Sequence, residues 1–263
     1  MDERLAPMPR KKVLRVSADP NNLPFTNDKL EGFENRIAAI VAEELGADLE
    51  YVWRAQRRGF FRQSLKEGEC DLVLGVPVGF DPVTTTAPYY RSSYVFVSRR
   101  DRGAVVASFD DPALKKLKVG VQLIGDDGYN TPPAHALAAR GLIDNAVGFT
   151  VYGDYSEPNP TARIVEAVAS GNVDVAVVWG PTAGYFAKKS SVSLDLKPVK
   201  PAADAAGLPF AFAIALGVRR GNTEFRDQLD AILKKRKADI DRILDGYGVP
   251  RVPKPDVKKG GAP

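Results

Sequence analysis

The chain is poor in the side chains that do covalent and metal chemistry. Its 263 residues include one cysteine and one histidine. One cysteine, Cys70, excludes an intramolecular disulfide framework and any thiolate zinc cluster. It lies in "GECDLVLGV", where an apolar strand begins, and a small buried side chain is expected there instead of a reactive thiol. One histidine, His135, cannot by itself supply a Ser-His-Asp triad or a histidine metal cage. The sequence has no G-x-S-x-G elbow, no H-E-x-x-H pair, no Walker loop and no G-x-G-x-x-G fingerprint. Asp126 and Asp127 in "GDDGYN" lack the further ligands of a calcium loop and read as a turn. No cofactor, no metal site and no catalytic residue is expected.

Long apolar runs are missing too. Nothing approaches the roughly 20 residues of a bilayer-spanning helix, so no membrane span is expected. The first residues, "MDERLAPMPRKK", are charged and proline-rich, without the apolar region of a signal peptide. That leaves a cytosolic protein, or one whose leader is absent from this sequence. Neither sign of charge dominates, with 37 basic against 33 acidic residues. The basic clusters "RRDR" (Arg99–Arg102) and "KKRK" (Lys234–Lys237) are short, and no RNA-binding or zinc-finger pattern stands beside them. Nucleic acid is not an expected partner.

What the chain does have is strand and helix in alternation. "VLRV" (Val13–Val16) reads as the first strand. "GFENRIAAIVAEELG" follows as a helix, with Phe33, Ile37, Ile40, Val41 and Leu45 on one face and Gly46 at its end. "LEYVW", a short helix in "FFRQSLKEG", then "DLVLGV" and "YVFVS" continue the series. It restarts with "LKVGVQ", a helix capped by Thr131 and ending at Gly141, "FTVY", the helix "TARIVEAVASG" and "VDVAVVW". Crossovers of this length predict α/β architecture with a parallel sheet. A further strand, "FAFAIALGV", and one long helix from Asn222 to Leu244 complete the pattern.

Two segments repeat. "LKEGECDLVLGVP" carries Gly68 and Asp71, and "VASGNVDVAVVWGP" carries Gly171 and Asp174, each ahead of a buried strand and a proline loop. The recurrence, roughly a hundred residues apart, predicts two lobes built alike. The expected division gives 1–12 to a disordered extension, 13–100 and 208–248 to lobe 1, 101–207 to lobe 2, and 249–263 to a flexible tail. Two crossings, near Ser98–Ala104 and Pro201–Phe210, make a hinge and an interlobe cleft.

Ligands of open α/β sheets bind beyond the C-terminal ends of the strands. The first such loop, "ADPNNLPFTN", brings Asp19, Asn22 and Phe25. The second brings Trp53, Arg57 and Arg58, with Pro77 and Tyr89 from the loops after the third strand. Lobe 2 adds Gln122, Asp126 and Trp179. Each aromatic alone is as readily core, but together with amides and arginines they describe a recognition cleft for a small polar molecule or a peptide segment. An enzyme here would need an acid/base pair, for which Asp19 and Asp126 are the only candidates.

The runs "ADPNNLPFTN", "GFENRIA", "GECDLVLGVPVGFDPVTTTAPYYRSSYVFV", "VGVQLIGDDGYNTPPAHALAARG" and "DVAVVWGPTAGYFA" resemble the MoxJ/XoxJ-type periplasmic binding proteins, from about Val13 to Gly248. These are related to the family 3 solute-binding proteins of ABC importers. The resemblance implies a two-lobed type II periplasmic-binding fold and a periplasmic location. It also implies an accessory role beside a PQQ-dependent methanol dehydrogenase of calcium or lanthanide type, with a segment of that enzyme or a related ligand in the cleft. The alternative it leaves open is a solute receptor that serves an ABC importer. Amino-acid importers grip the α-carboxylate with an arginine after the Thr-rich loop and the ammonium with an aspartate after the last strand of lobe 2. Here "GFDPVTTTAPYY" has no arginine before Arg91, and Trp179-Gly180 stands in place of the aspartate. Losing one partner of a buried ion pair costs about 3–5 kcal/mol, so high-affinity capture of a free amino acid is not expected. Arg57 and Arg58 are the replacement candidates for gripping an anion.

Overall fold

The computed structural model describes residues 12–56, 60–103, 105–124, 130–150 and 155–253. Lobe 1 opens with β1 (Lys12–Ala18), the short pair β2 (Asn21–Asn22) and β3 (Thr26–Asn27), α1 (Phe33–Leu45) and β4 (Ala47–Trp53). It continues with β5 (Leu72–Pro77), β6 (Val83–Thr85) and β7 (Tyr90–Arg99). Lobe 2 contains β8 (Val119–Leu123), α2 (Pro132–Ala139), β9 (Ala146–Thr150), α3 (Arg163–Ser170), β10 (Val175–Trp179), α4 (Gly180–Lys189) and β11 (Leu194–Pro198). The chain then returns through β12 (Ala211–Arg219), α5 (Thr223–Lys235) and α6 (Lys237–Gly246).

The sheet order is β4-β1-β5-β12-β7-β10-β8-β9. β1 pairs in parallel with β4 and β5, and β8 with β9 and β10, as the helical crossovers require. The expected parallel pairing is interrupted at the centre. There β12 runs antiparallel to β5 and β7, and β7 antiparallel to β10 and β11. These strands pass between the lobes without a crossover helix, so no right-handed βαβ unit fixes their direction. β7 belongs to both halves. Its residues through Ser93 pair with β12, and from Tyr94 onward with β10, ahead of the Ser98–Ala104 segment.

Each half has its own cores. On one side of lobe 1, Phe33, Ile37 and Val41 of α1 pack with Leu72, Leu216, Leu229, Ile240 and Leu244. On the other, Phe60 and Leu65 pack with Val73, Val76 and Cys70, whose thiol burial pushes up to about 11. In lobe 2, β10 alternates as a sheet covered on both faces must. Val175 and Val177 meet α2, while Ala176 and Val178 meet α3.

Two expectations about helices change. The single helix from Asn222 to Leu244 breaks at Arg236, which ends α5 and starts α6 outside helical geometry. Its guanidinium meets Glu43 and Glu44 of α1, and the break turns Ile240 and Leu244 into the lobe 1 core. The proline loop after "VDVAVVW" is instead the helix α4, since Pro181 in a first turn lacks only an N–H that would be unpaired anyway. Residues 249–253, expected as the start of a free tail, lie against the lobes. Val249 is in the lobe 1 core, Pro250 accepts the Ser92 hydroxyl at 2.6 Å, and Val252 N donates to Arg91 O at 3.0 Å. Tyr247 stacks on Tyr185 of α4 with ring centres 5.6 Å apart.

The repeated Gly/Asp segments do the same work twice. Gly68 and Gly171 both stand in left-handed backbone before the strand. Asp71 accepts the backbone N–H of Arg15 at 2.9 Å, and Asp174 that of Lys118 at 2.8 Å, across the same separation of 56 residues. In each lobe an aspartate completes the strand ladder where the sheet starts. Replacing Asp71 or Asp174 by Ala leaves that N–H without its partner, and each variant is expected to lose about 0.5–2 kcal/mol in urea unfolding. Unchanged unfolding midpoints would show that the repeat does not support the sheet.

Candidate functional site

The loop after β1 is organised by Asp19, which is buried. Its Oδ1 accepts Asn21 N at 2.8 Å, and its Oδ2 accepts Gln56 N at 2.8 Å from the exit of β4. Its carbonyl takes the Thr26 hydroxyl at 2.7 Å, closing the β2–β3 hairpin. Asn35 ties this hairpin to α1, accepting Asn27 N at 3.1 Å and Gly32 N at 3.0 Å as a capping residue. Phe25 then lies on Phe33 with ring centres 5.4 Å apart.

The same loop reaches across to lobe 2. Asn21 Nδ2 donates to Glu157 O at 2.8 Å, and Asn159 N to Asn21 Oδ1 at 3.2 Å. The Thr161 hydroxyl donates to Leu23 O, and the Tyr155 hydroxyl to Asp19 Oδ2 at 3.4 Å. The lobes are closed on each other along this line.

Behind it lies a cavity of about 140 Å³. Lobe 1 lines it with Asn22, Phe25, Glu34, Gln56 and Gly75, the shared strand β7 with Tyr94, and lobe 2 with Gln122, Leu123, Thr131, Thr161, Trp179 and Thr182. Gln122 and Trp179 lie at the C-terminal ends of neighbouring parallel strands, and Trp179 N donates to Gln122 Oε1 at 3.4 Å. Trp179 meets Tyr94 edge-on at 5.3 Å. On the outer side of the closure line a broad groove of about 1340 Å³ runs between Asn21, Tyr155 and Tyr185 and Arg242 of α6 with Tyr247 just beyond it.

Of the residues chosen from sequence, Asn22, Phe25, Gln122 and Trp179 come together on the cavity wall. Asp19 sits beside them with its carboxylate engaged by backbone amides. Tyr89 is one layer deeper, donating its hydroxyl to Glu34 Oε1 at 3.1 Å. Pro77 and Trp53 are not on the wall. Pro77 ends β5 opposite Ile214, and Trp53 is 37% exposed, stacked on Tyr51 at the open edge of β4. Arg57, Arg58 and Asp126 lie outside the described residues. Among the described residues no cluster of His, Cys, Asp and Glu could hold a metal ion, and no helix is long and apolar enough to cross a membrane.

Glu34 is the residue that sequence reasoning missed. It stands in the first turn of α1, where an acid reads as ordinary complement to the helix dipole. In the fold that helix end points at the strand ends, and the carboxyl is buried. Gly75, in left-handed backbone, makes room for it, since a Cβ there would lie 2.8 Å from Oε1. Burial pushes the Glu34 carboxyl up to about 8, with the Tyr89 hydroxyl partly opposing the shift. Burial likewise pushes the hydroxyls of Tyr89 and Tyr90 well above the ordinary phenol range.

The model for bacterial extracellular solute-binding proteins, family 3, matches residues 14–250. The chain belongs to that family. Protein MoxJ of Methylorubrum extorquens is 33% identical to it over 260 residues, covering 94% of this chain and 84% of its own length. The crystal structure of MxaJ from Methlophaga aminisulfidivorans MPT superposes with a TM-score of 0.80 at 27% identity, covering 91% of this chain and all of that one. That of the periplasmic binding protein XoxJ from Methylobacterium extorquens AM1 gives 0.75 at 36% identity, covering 92% of this chain and all of that one. The fold is therefore the two-lobed type II periplasmic-binding fold, with a mixed sheet, a hinge and an interlobe cleft. The family 3 description is of binding proteins outside the cytoplasm, and this chain is a MoxJ/MxaJ/XoxJ-type member.

Glu34 gives stability a pH dependence of known sign. A carboxyl whose pKa is higher folded than unfolded stabilises fully below its unfolded value, about 4.5, and that contribution is lost as pH rises through about 8. The urea midpoint of the wild type is expected to fall relative to Glu34→Gln between about pH 5 and 8, then to run parallel above about 9. Parallel curves throughout would mean that the carboxyl is solvated.

Proposed function

We propose that the chain is a non-catalytic periplasmic accessory protein of a PQQ-dependent methanol dehydrogenase system, of calcium or lanthanide type, assisting maturation or activation of the enzyme. Its likeness to MoxJ, MxaJ and XoxJ over nearly the whole chain carries this reading. At Asp19, one of the two acid/base candidates chosen from sequence, both carboxylate oxygens are engaged by backbone amides, which suits the non-catalytic reading.

The closed cavity of about 140 Å³ is too small for a peptide segment. A segment of the dehydrogenase has room in the outer groove, which both lobes and α6 build. In this reading the inner cavity takes a small ligand, and lobe closure over it shapes the groove that meets the enzyme. The ligand-sized cavity is also what favours the second reading, a solute receptor delivering a small polar molecule to an ABC importer.

Isothermal titration with purified, metal-free methanol dehydrogenase separates the two. The accessory reading expects saturable heat, and a loss of about tenfold in affinity when Arg242→Glu reverses a charge on the groove. No heat with the dehydrogenase, together with a large rise in melting temperature with one small solute, would establish the receptor instead.

A further inference from the structure

The inner cavity carries one ionisable side chain among its described lining residues, Glu34, and no described lining residue brings a cation to it. Tyr89 just ahead of β7, Tyr90 of β7, Tyr51 of β4 and Gly75 of β5 face this carboxyl, and none brings a positive charge. Oε1 accepts the Tyr89 hydroxyl, while Oε2 has no hydrogen-bond partner among the described residues. Much of the neutral polar wall is already spent within the protein. Asn22 Nδ2 is bonded to Gln56 Oε1 at 2.9 Å, and the Thr131 and Thr161 hydroxyls to backbone carbonyls. The rest of the wall includes the aromatic rings of Phe25, Tyr94 and Trp179, with Leu123, Gln122 and Thr182. A carboxyl oxygen open to a cavity that three aromatic rings help to line is equipment that receives an organic cation.

We propose that the cavity binds a small organic ammonium ion, its head on Glu34 and its alkyl body against Phe25, Tyr94 and Trp179. This rests on the reading of the closed cleft as a ligand site. The volume, about 140 Å³, is near the roughly 150 Å³ of a cavity that holds benzene, so the ligand has about six non-hydrogen atoms. Burial holds the Glu34 carboxyl up to about 8, and a cation arriving beside it favours the ionised form. At pH 7 the carboxyl therefore gives its proton to solvent as the ammonium ion, still protonated, takes its place beside the carboxylate.

The test uses butylammonium chloride, with 1-butanol as its neutral isostere and sodium butyrate as the opposite charge, in thermal-shift and titration experiments. Butylammonium is expected to raise the melting temperature of the wild type and to release a proton near pH 7, read from titrations in buffers of different ionisation enthalpy. Its affinity is expected to fall about tenfold or more in Glu34→Gln and about threefold in Phe25→Leu, which keeps the carboxyl. Butanol and butyrate are expected to give no response. No binding of butylammonium, equal binding of butanol or butyrate, or unchanged affinity in both variants would overturn the proposal. The dehydrogenase titration reads the accessory role separately. A protein that binds the enzyme but no amine loses only this inference, and one that binds the amine but not the enzyme loses only the accessory role.

Discussion

One buried carboxylate holds the working part of this molecule together. Asp19 fixes the first loop through Asn21, the exit of the neighbouring strand through Gln56, and lobe 2 through Tyr155. Without it the β2–β3 hairpin has no anchor to the end of β1, Phe25 has no fixed place on α1, and the cross-lobe bonds of Asn21 and Leu23 lose their register. An aspartate side chain is suited to this because its two oxygens can each accept, and backbone amides at a strand end supply donors that burial would otherwise leave unpaired. The residue first marked as a ligand contact is thus the support on which the contacts rest.

Glu34 has the opposite character. Asp19 is satisfied by amides, whereas Glu34 meets a single tyrosine hydroxyl and an open cavity. Two carboxyls in one small region are thereby set to different tasks by their surroundings, one holding the backbone and one facing whatever enters. Trp179, at the end of β10, and Glu34, in the first turn of α1, meet on the cavity wall, so an aromatic ring and an acid stand at facing element ends.

The sequence made most of the architecture legible for identifiable reasons. Gly68, Asp71, Gly171 and Asp174 repeat because each lobe begins its third strand with the same hydrogen bond. Thr131 caps α2 and Asn222 caps α5 as their types require. The antiparallel centre was hidden, since strand direction in β7 and β12 is set by passage between lobes and not by local pattern. Arg236 gave no sign of a break because arginine is a good helix former and its partners, Glu43 and Glu44, are remote in sequence. Four of the chosen site residues reach the wall because strand ends converge in this fold. Glu34 was hidden because nothing local separates an acid that caps a helix from one aimed into a cavity.

The central claim is that the first loop closes lobe 1 on lobe 2 over a ligand-sized space. Small-angle X-ray scattering of the wild type and an Asn21→Ala/Thr161→Val double variant tests it most directly. The variant removes the Asn21 and Thr161 bonds across the closure line and leaves the lobe cores intact. The wild type is expected to scatter with the compact dimensions of the closed form, and the variant with a larger radius of gyration. Superimposable curves would contradict the account, because closure would then not depend on the loop.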